Sequence, residues 1–242
     1  MAASSEDSAT ERTKKRNDLA GKIHKVVKCG IVGDGTVGKS CLLMTYTMAG
    51  FVEHYVPTIF DNFSVLEEFD GKLVNITLWD TAGQDDYINF RTQTCYRSTD
   101  IFLVCFSTVN PHSFQNVKQK WIPELQAHSP ATPFILCGTQ TDLRADEKVL
   151  ADLIASGSEP ISTKVGQRRA KEIKALTYVE CSAKDVSSVV NVFRTACTFL
   201  LDKDAKQRQK VQKQYKKELA LEKKYEKQMA KKNKDGAAAP SE

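Results

Sequence analysis

The chain has 242 residues, 41% of them hydrophobic, enough for one sizeable core or two small ones. Its net charge of +5 is unevenly placed: residues 202–242 carry thirteen Lys/Arg against seven Asp/Glu, and the first 201 residues are close to neutral. A basic appendage on a near-neutral domain argues against a nucleic-acid-binding fold. The lack of a bilayer-length apolar run or an N-terminal apolar h-region argues against membrane-spanning and secreted classes.

Residues 1–23 are polar and charged and read as a disordered extension. Lys25 to Val32 then reads as a buried strand, and the segment from Cys41 begins a helix that Ala49-Gly50-Phe51 closes. Val52 to Asn62 is loop-like, with Pro57 inside it. Two strands follow, Phe63 to Phe69 and Lys72 to Trp79, joined by the hairpin dipeptide Asp70-Gly71. After the polar run Thr81 to Asp100, the continuous apolar stretch Ile101 to Phe106 fits a strand covered on both faces. A helix over Pro111 to Ala127 and a short strand over Pro133 to Cys137 come next. Arg144 to Ser158 is charged and apolar, and Thr163 to Ala175 is a helix. The last two elements are a strand, Thr177 to Glu180, and a helix, Val186 to Leu201. Strands alternating with helices predict an α/β domain over residues 24–201, with a mostly parallel six-stranded sheet and helices on both faces. Residues 202–234 hold neither Gly nor Pro and predict a long basic helix; residues 235–242 fray.

Four motifs each follow a predicted strand. Gly33-Asp34-Gly35-Thr36-Val37-Gly38-Lys39-Ser40 has the form G-x-x-x-x-G-K-[ST], which between a strand and a helix means phosphate binding. Backbone N–H groups turn inward around a polyphosphate, Lys39 reaches its terminal phosphates, and the helix N-terminus adds positive potential. In Asp80-Thr81-Ala82-Gly83-Gln84 the acid can hold a water on a magnesium ion. Gly83 offers an unobstructed N–H to a γ-phosphate, and Gln84 has the chemistry to orient an attacking water. In Thr139-Gln140-Thr141-Asp142 a carboxylate can accept from the N1–H and 2-amino groups of guanine, a donor pair that adenine lacks. In Cys181-Ser182-Ala183-Lys184 the Ala183 N–H would donate to guanine O6. The last two motifs are weak alone and gain weight from their order, since ligands of open α/β sheets bind at the carboxyl ends of strands.

In this order the motifs resemble those of the small GTPases. Tyr55-Val56-Pro57-Thr58-Ile59-Phe60-Asp61-Asn62-Phe63 and Trp79-Asp80 are similar to the Rho family, near its Rac-type branch, and residues 144–158 resemble its insert helix. The resemblance covers roughly Lys25 to Leu201. It implies GTP and GDP as ligands with Mg²⁺, held by Ser40, Thr58 and, through water, Asp80. It implies that Gly33, Gly35, Thr36, Val37, Gly38, Lys39, Ser40, Cys41, Phe51, Tyr55, Thr58, Asp80, Gly83, Thr139, Gln140, Asp142, Leu143, Ser182, Ala183 and Lys184 surround the nucleotide. Lys39, Thr58 and Gln84 would then be catalytic, with Gly35 leaving room for Gln84 and a partner's arginine. Residues 52–62 and 81–96 would be switch segments that meet effectors, exchange factors and GTPase-activating proteins.

Three departures from the family pattern stand out. Gln140 occupies a position where most small GTPases carry Lys. The second switch looks about one residue longer and has less Arg, Leu and Pro. The last cysteine is Cys197 and the sequence ends Ala239-Pro240-Ser241-Glu242, so prenylation at the terminus is not expected. The basic segment 202–234 is open to three uses: a solvated spacer, a protein contact, or a contact with anionic membrane. The seven cysteines are odd in number and lack a C-x-x-C pair, and the four histidines lack ligand spacing; both suit reduced thiols in a cytoplasmic protein without a zinc site. A monomer is expected. The expected function is a GTP-hydrolysing switch, probed against two others: a nucleotide-bound interaction module that does not cycle, and a P-loop ATPase or kinase that Asp142 disfavours.

Overall fold

The computed structural model describes residues 23–51, 60–69, 71–204 and 206, and the chain divides into two units, Met1–Cys197 and Thr198–Glu242. In the first unit six strands form one sheet: β1 (Ile23–Gly33), β2 (Phe60–Phe69), β3 (Lys72–Thr81), β4 (Ile101–Ser107), β5 (Phe134–Thr139) and β6 (Tyr178–Glu180). Their spatial order is β2-β3-β1-β4-β5-β6. Strand β2 runs antiparallel to β3, and the other neighbouring pairs are parallel. The carboxyl ends of β1, β3, β4, β5 and β6 therefore share one edge of the sheet, and the four sequence motifs follow β1, β3, β5 and β6 there.

The helices around the sheet include α1 (Lys39–Met48) and α2, which joins a 3₁₀ turn (Asp85–Tyr87), a short α turn (Ile88–Phe90) and a π turn (Arg91–Cys95). Helix α3 joins Pro111–Asn116, a π turn (Val117–Trp121) and Ile122–His128. Then come α4 (Glu147–Ala155), α5 (Thr163–Glu172) and α6 (residues 186–197). In the second unit residues 198–204 are helical. Predicted residues 207–234 of the basic helix and the extension 1–22 lie outside the described residues. Among the described residues no helix is long and apolar enough to cross a membrane.

Strand β4 shows why its sequence has no alternation: all seven residues are buried, with β1 and β5 on either side and helices over the faces. Val32, Phe102, Val104, Phe106 and Leu136 of the sheet pack with Phe114, Val117, Trp121 and Leu125 of α3 and with Ala170 of α5. Elsewhere Tyr46 of α1 stacks on Phe193 of α6, with ring centroids 4.1 Å apart. Full burial of side chains of this size contributes about 1.5–3 kcal/mol each.

Three local outcomes differ from the sequence reading. The helix expected over Pro111 to Ala127 is present as α3 but not regular throughout, because Pro123 lacks the N–H that would bond the carbonyl four residues earlier. The backbone widens just before it, and the Ile122 N–H bonds the Val117 carbonyl, five residues back. Helix α5 ends at Glu172 and not at Ala175, because Lys174 takes a left-handed conformation (φ +59°) and the Ala175 N–H closes onto the Ala170 carbonyl. Within the polar run 81–100, for which the sequence suggests no element, buried Arg91 and Cys95 anchor α2. Helix α4 is capped by Asp146, whose carboxylate accepts from the Val149 N–H at 3.0 Å. It stops at Gly157 (φ +68°), where the Ser158 N–H bonds the Leu153 carbonyl.

Candidate functional site

The phosphate-loop motif occupies the turn between β1 and α1. Gly38 sits at φ +87° as the N-cap of α1, a conformation that a side chain would strain. With no side chain to cap the helix, the first-turn N–H groups are left for an anion. Lys39 is buried and its Nζ curls back to donate to the carbonyls of Gly33 (2.9 Å) and Asp34 (2.8 Å). Burial, above all, pulls its pKa below the ordinary lysine value, against the opposing pull of Asp80. Thr36 is left-handed at φ +63°, and buried Val37 lends its carbonyl to the Thr139 hydroxyl at 2.5 Å.

Beside the loop, Ser40 Oγ donates to Asp80 Oδ2 at 2.5 Å, both residues being buried. A hydroxyl and a carboxylate at this separation form a hard oxygen pair that suits Mg²⁺, which takes one or two protein oxygens and leaves its other positions to phosphate and water. Among the described residues no group of three or more His, Cys, Asp or Glu gathers into a cage of its own. Gly83 abuts the loop: a Cβ built there would lie 2.5 Å from the Gly33 carbonyl oxygen and 2.6 Å from the Gly35 nitrogen. The Gln84 side chain is exposed, while its carbonyl accepts from Arg91 Nη1 at 2.7 Å. A Cβ at Gly35 would meet nothing within 4 Å.

A cavity of about 230 Å³ adjoins the loop. Gly38 and Cys41 of the loop and α1, Phe51, Thr139, Gln140, Asp142 and Leu143 after β5, and Ala183 and Lys184 after β6 all line it. Leu42 and Cys181 line it too, although the site residues expected from sequence do not include them; they adjoin Cys41 and Ser182, which do belong to that set. The walls are mainly apolar with one carboxylate among them, a slot for a flat heterocycle with donors on its edge. Ser182 does not line the cavity: its hydroxyl donates to Asp142 Oδ1 at 2.7 Å, and Lys184 Nζ lies 3.2 Å from Oδ2. Gln140 is left-handed (φ +57°) and its Nε2 donates to the Thr36 carbonyl at 3.2 Å, tying slot to loop. Thr45 of α1 donates to the Ala183 carbonyl at 3.0 Å.

The segment after β5 is joined to the end of β6 by a bidentate pair that sequence reasoning missed. Arg144 donates to both oxygens of Glu180 at 2.8 and 2.6 Å, and its Nη2 also reaches the Ile161 carbonyl at 2.7 Å. Asp34, read from sequence only as a variable motif position, accepts from Trp121 Nε1 and Asn116 Nδ2, each at 2.7 Å. No local signal marks such partners, which are 82 and 87 residues away. Tyr55, Thr58 and most of the first switch segment lie outside the described residues. All seven cysteines are free, and Cys137 and Cys181 approach to 3.8 Å between sulfurs.

A glycine-turned loop at the carboxyl edge of a parallel sheet, capped by a buried lysine and opening onto an apolar slot with one carboxylate, defines a nucleotide-binding P-loop domain. Residues 28–202 match the family model described as the Ras family, and the chain belongs to that family. Its members are small GTPases, GTP-binding switches that take GTP or GDP, typically with Mg²⁺, and meet effectors, exchange factors and activating proteins.

Proposed function

We propose that this chain is a Rho-type switch of the Rac-like branch, one that hydrolyses bound GTP slowly and engages effectors in the GTP state, signalling to cytoskeleton or membrane traffic. The observation that carries the reading is the cavity, where Asp142 stands among apolar walls beside the phosphate loop. Asp142 would accept from guanine N1–H and the 2-amino group, the Ala183 N–H would donate to O6, and Phe51 would pack on the base. Ser40, Thr58 and Asp80 (through water) would hold magnesium, which would supply positive charge beside the phosphates. Lys39 steadies the terminal phosphates, Thr58 and Gly83 respond to the γ-phosphate, and Gln84 orients the attacking water in the room that Gly35 leaves. The α4 segment after the base motif, with its Asp146 cap, supports the Rho assignment. We place the protein in the cytoplasm, with the basic segment 202–234 as a contact for anionic membrane or for a protein.

The test is single-turnover hydrolysis by the purified full chain with Mg²⁺. The expected intrinsic rate is on the order of 10⁻⁴–10⁻³ per second, with Gln84→Leu slower by about tenfold or more. Absence of turnover even with a Rho-type activating protein would sink the reading, as would displacement of GTP by equimolar ATP. Equal partner capture in the GDP and GTP-analogue states would point instead to an interaction module that does not cycle.

A further inference from the structure

Helices α2 and α3 each contain a π turn, Arg91–Cys95 and Val117–Trp121, and the two turns meet through their side chains. Such turns are rare and collect at functional sites. Arg91 is fully buried, and its Nε and Nη2 donate to the two oxygens of Glu124 at 2.7 and 2.5 Å. Tyr96 donates its hydroxyl to the same carboxylate. The remaining arm of Arg91 reaches the chain that carries Gln84: Nη1 donates to the Gln84 carbonyl at 2.7 Å and, at 3.4 Å, to that of Ala82. Lys120 Nζ donates to the carbonyl between them, Gly83, at 2.9 Å.

The same two cations flank Trp121, at 5.0 Å (Arg91) and 4.7 Å (Lys120) from the ring centroid. The indole N–H of Trp121 bonds Asp34 in the phosphate loop. One polar clasp therefore joins the loop, α3 and three successive carbonyls ending at Gln84. Stability alone does not account for it, because a well-packed apolar pair commonly serves as well as a buried ion pair. What the pair adds is direction: it fixes the backbone from which the exposed Gln84 side chain projects.

We infer that Arg91, Glu124 and Lys120 are positioning residues for hydrolysis, setting Ala82–Gln84 against the phosphate loop. They touch neither nucleotide nor water and act through Gln84. The inference rests on the hydrolytic reading above, and its test separates the two.

The full-length double variant Arg91→Met/Glu124→Met replaces the buried pair with apolar side chains that can pack together. Bound GTP should turn over about tenfold more slowly, while GDP dissociation changes less than about twofold. In a Gln84→Ala background the same double substitution should change the rate less than about twofold, since the residue being positioned is gone. An equal fold-loss in both backgrounds would mark a merely structural pair and overturn the inference. Lys120→Met, at a half-buried position, is the second variant and should slow turnover by a smaller factor. Amide exchange over residues 82–90 reads the clasp without hydrolysis: it should quicken about tenfold in the double variant, and unchanged exchange overturns the clasp. If the unsubstituted protein fails to hydrolyse GTP, the switch reading falls, and the catalytic part of this inference with it.

Discussion

Gly83 and Gly35 belong to neighbouring motifs and face opposite constraints. A methyl at Gly83 would press on loop backbone, 2.5 Å from the Gly33 carbonyl oxygen, whereas one at Gly35 enters open space. Gly83→Ala should therefore cost about 1–3 kcal/mol of stability and Gly35→Ala less than about 0.5 kcal/mol, both read as urea-denaturation midpoints of the full chain. Equal costs would contradict the packing. From sequence, Gly83 was legible as a residue without a side chain in the way of a phosphate. Its seating on the loop backbone was not, because that contact spans some fifty residues of chain that only the β1–β3 pairing brings together.

At the scale of elements, the Arg144–Glu180 pair fastens the segment after β5 to the strand β6, and with it the two halves of the base slot. Burial alone would raise the Glu180 pKa. Hydrogen bonds from Arg144 and Tyr178, with the Arg144 charge, outweigh it and hold the carboxyl below its ordinary value. A carboxyl depressed in the folded state contributes stability above its unfolded pKa, near 4.3, and loses it as pH falls through the lower folded value. Acid should thus destabilise the protein below about pH 4.5 more than it destabilises Glu180→Gln. Parallel pH profiles of the urea midpoint for the two proteins would refute this. Strands β4 and β5 were legible from continuous apolar runs such as Ile101–Phe106, and β2 and β3 from the hairpin dipeptide Asp70-Gly71 between them. The π turn of α3 was not, since apolar spacing hardly distinguishes 3.6 from 4.4 residues per turn; Pro123 was the one available sign. The Arg144–Glu180, Arg91–Glu124 and Trp121–Asp34 partnerships depend on tertiary approach and leave no periodicity behind.

For the whole molecule, the site lies where five parallel strands end, so a nucleotide would bridge loops from most of the sheet and stabilise them jointly. Anything bound to the folded form alone raises stability by mass action. Stripping Mg²⁺ and nucleotide with excess chelator should lower the thermal midpoint by roughly 10 °C, and restoring Mg²⁺ with GDP, but not with ADP, should recover it. A midpoint indifferent to chelator would mean that the sheet edge stands without a ligand. The clasp around Trp121 also has an optical consequence. The chain holds two tryptophans; Trp79 lies beneath the Lys28 ammonium, 3.8 Å from its ring centroid, while Trp121 is bonded to the phosphate loop between two cations. Fluorescence from that second indole is a native gauge of the loop and the Gln84 segment together, with no dye attached.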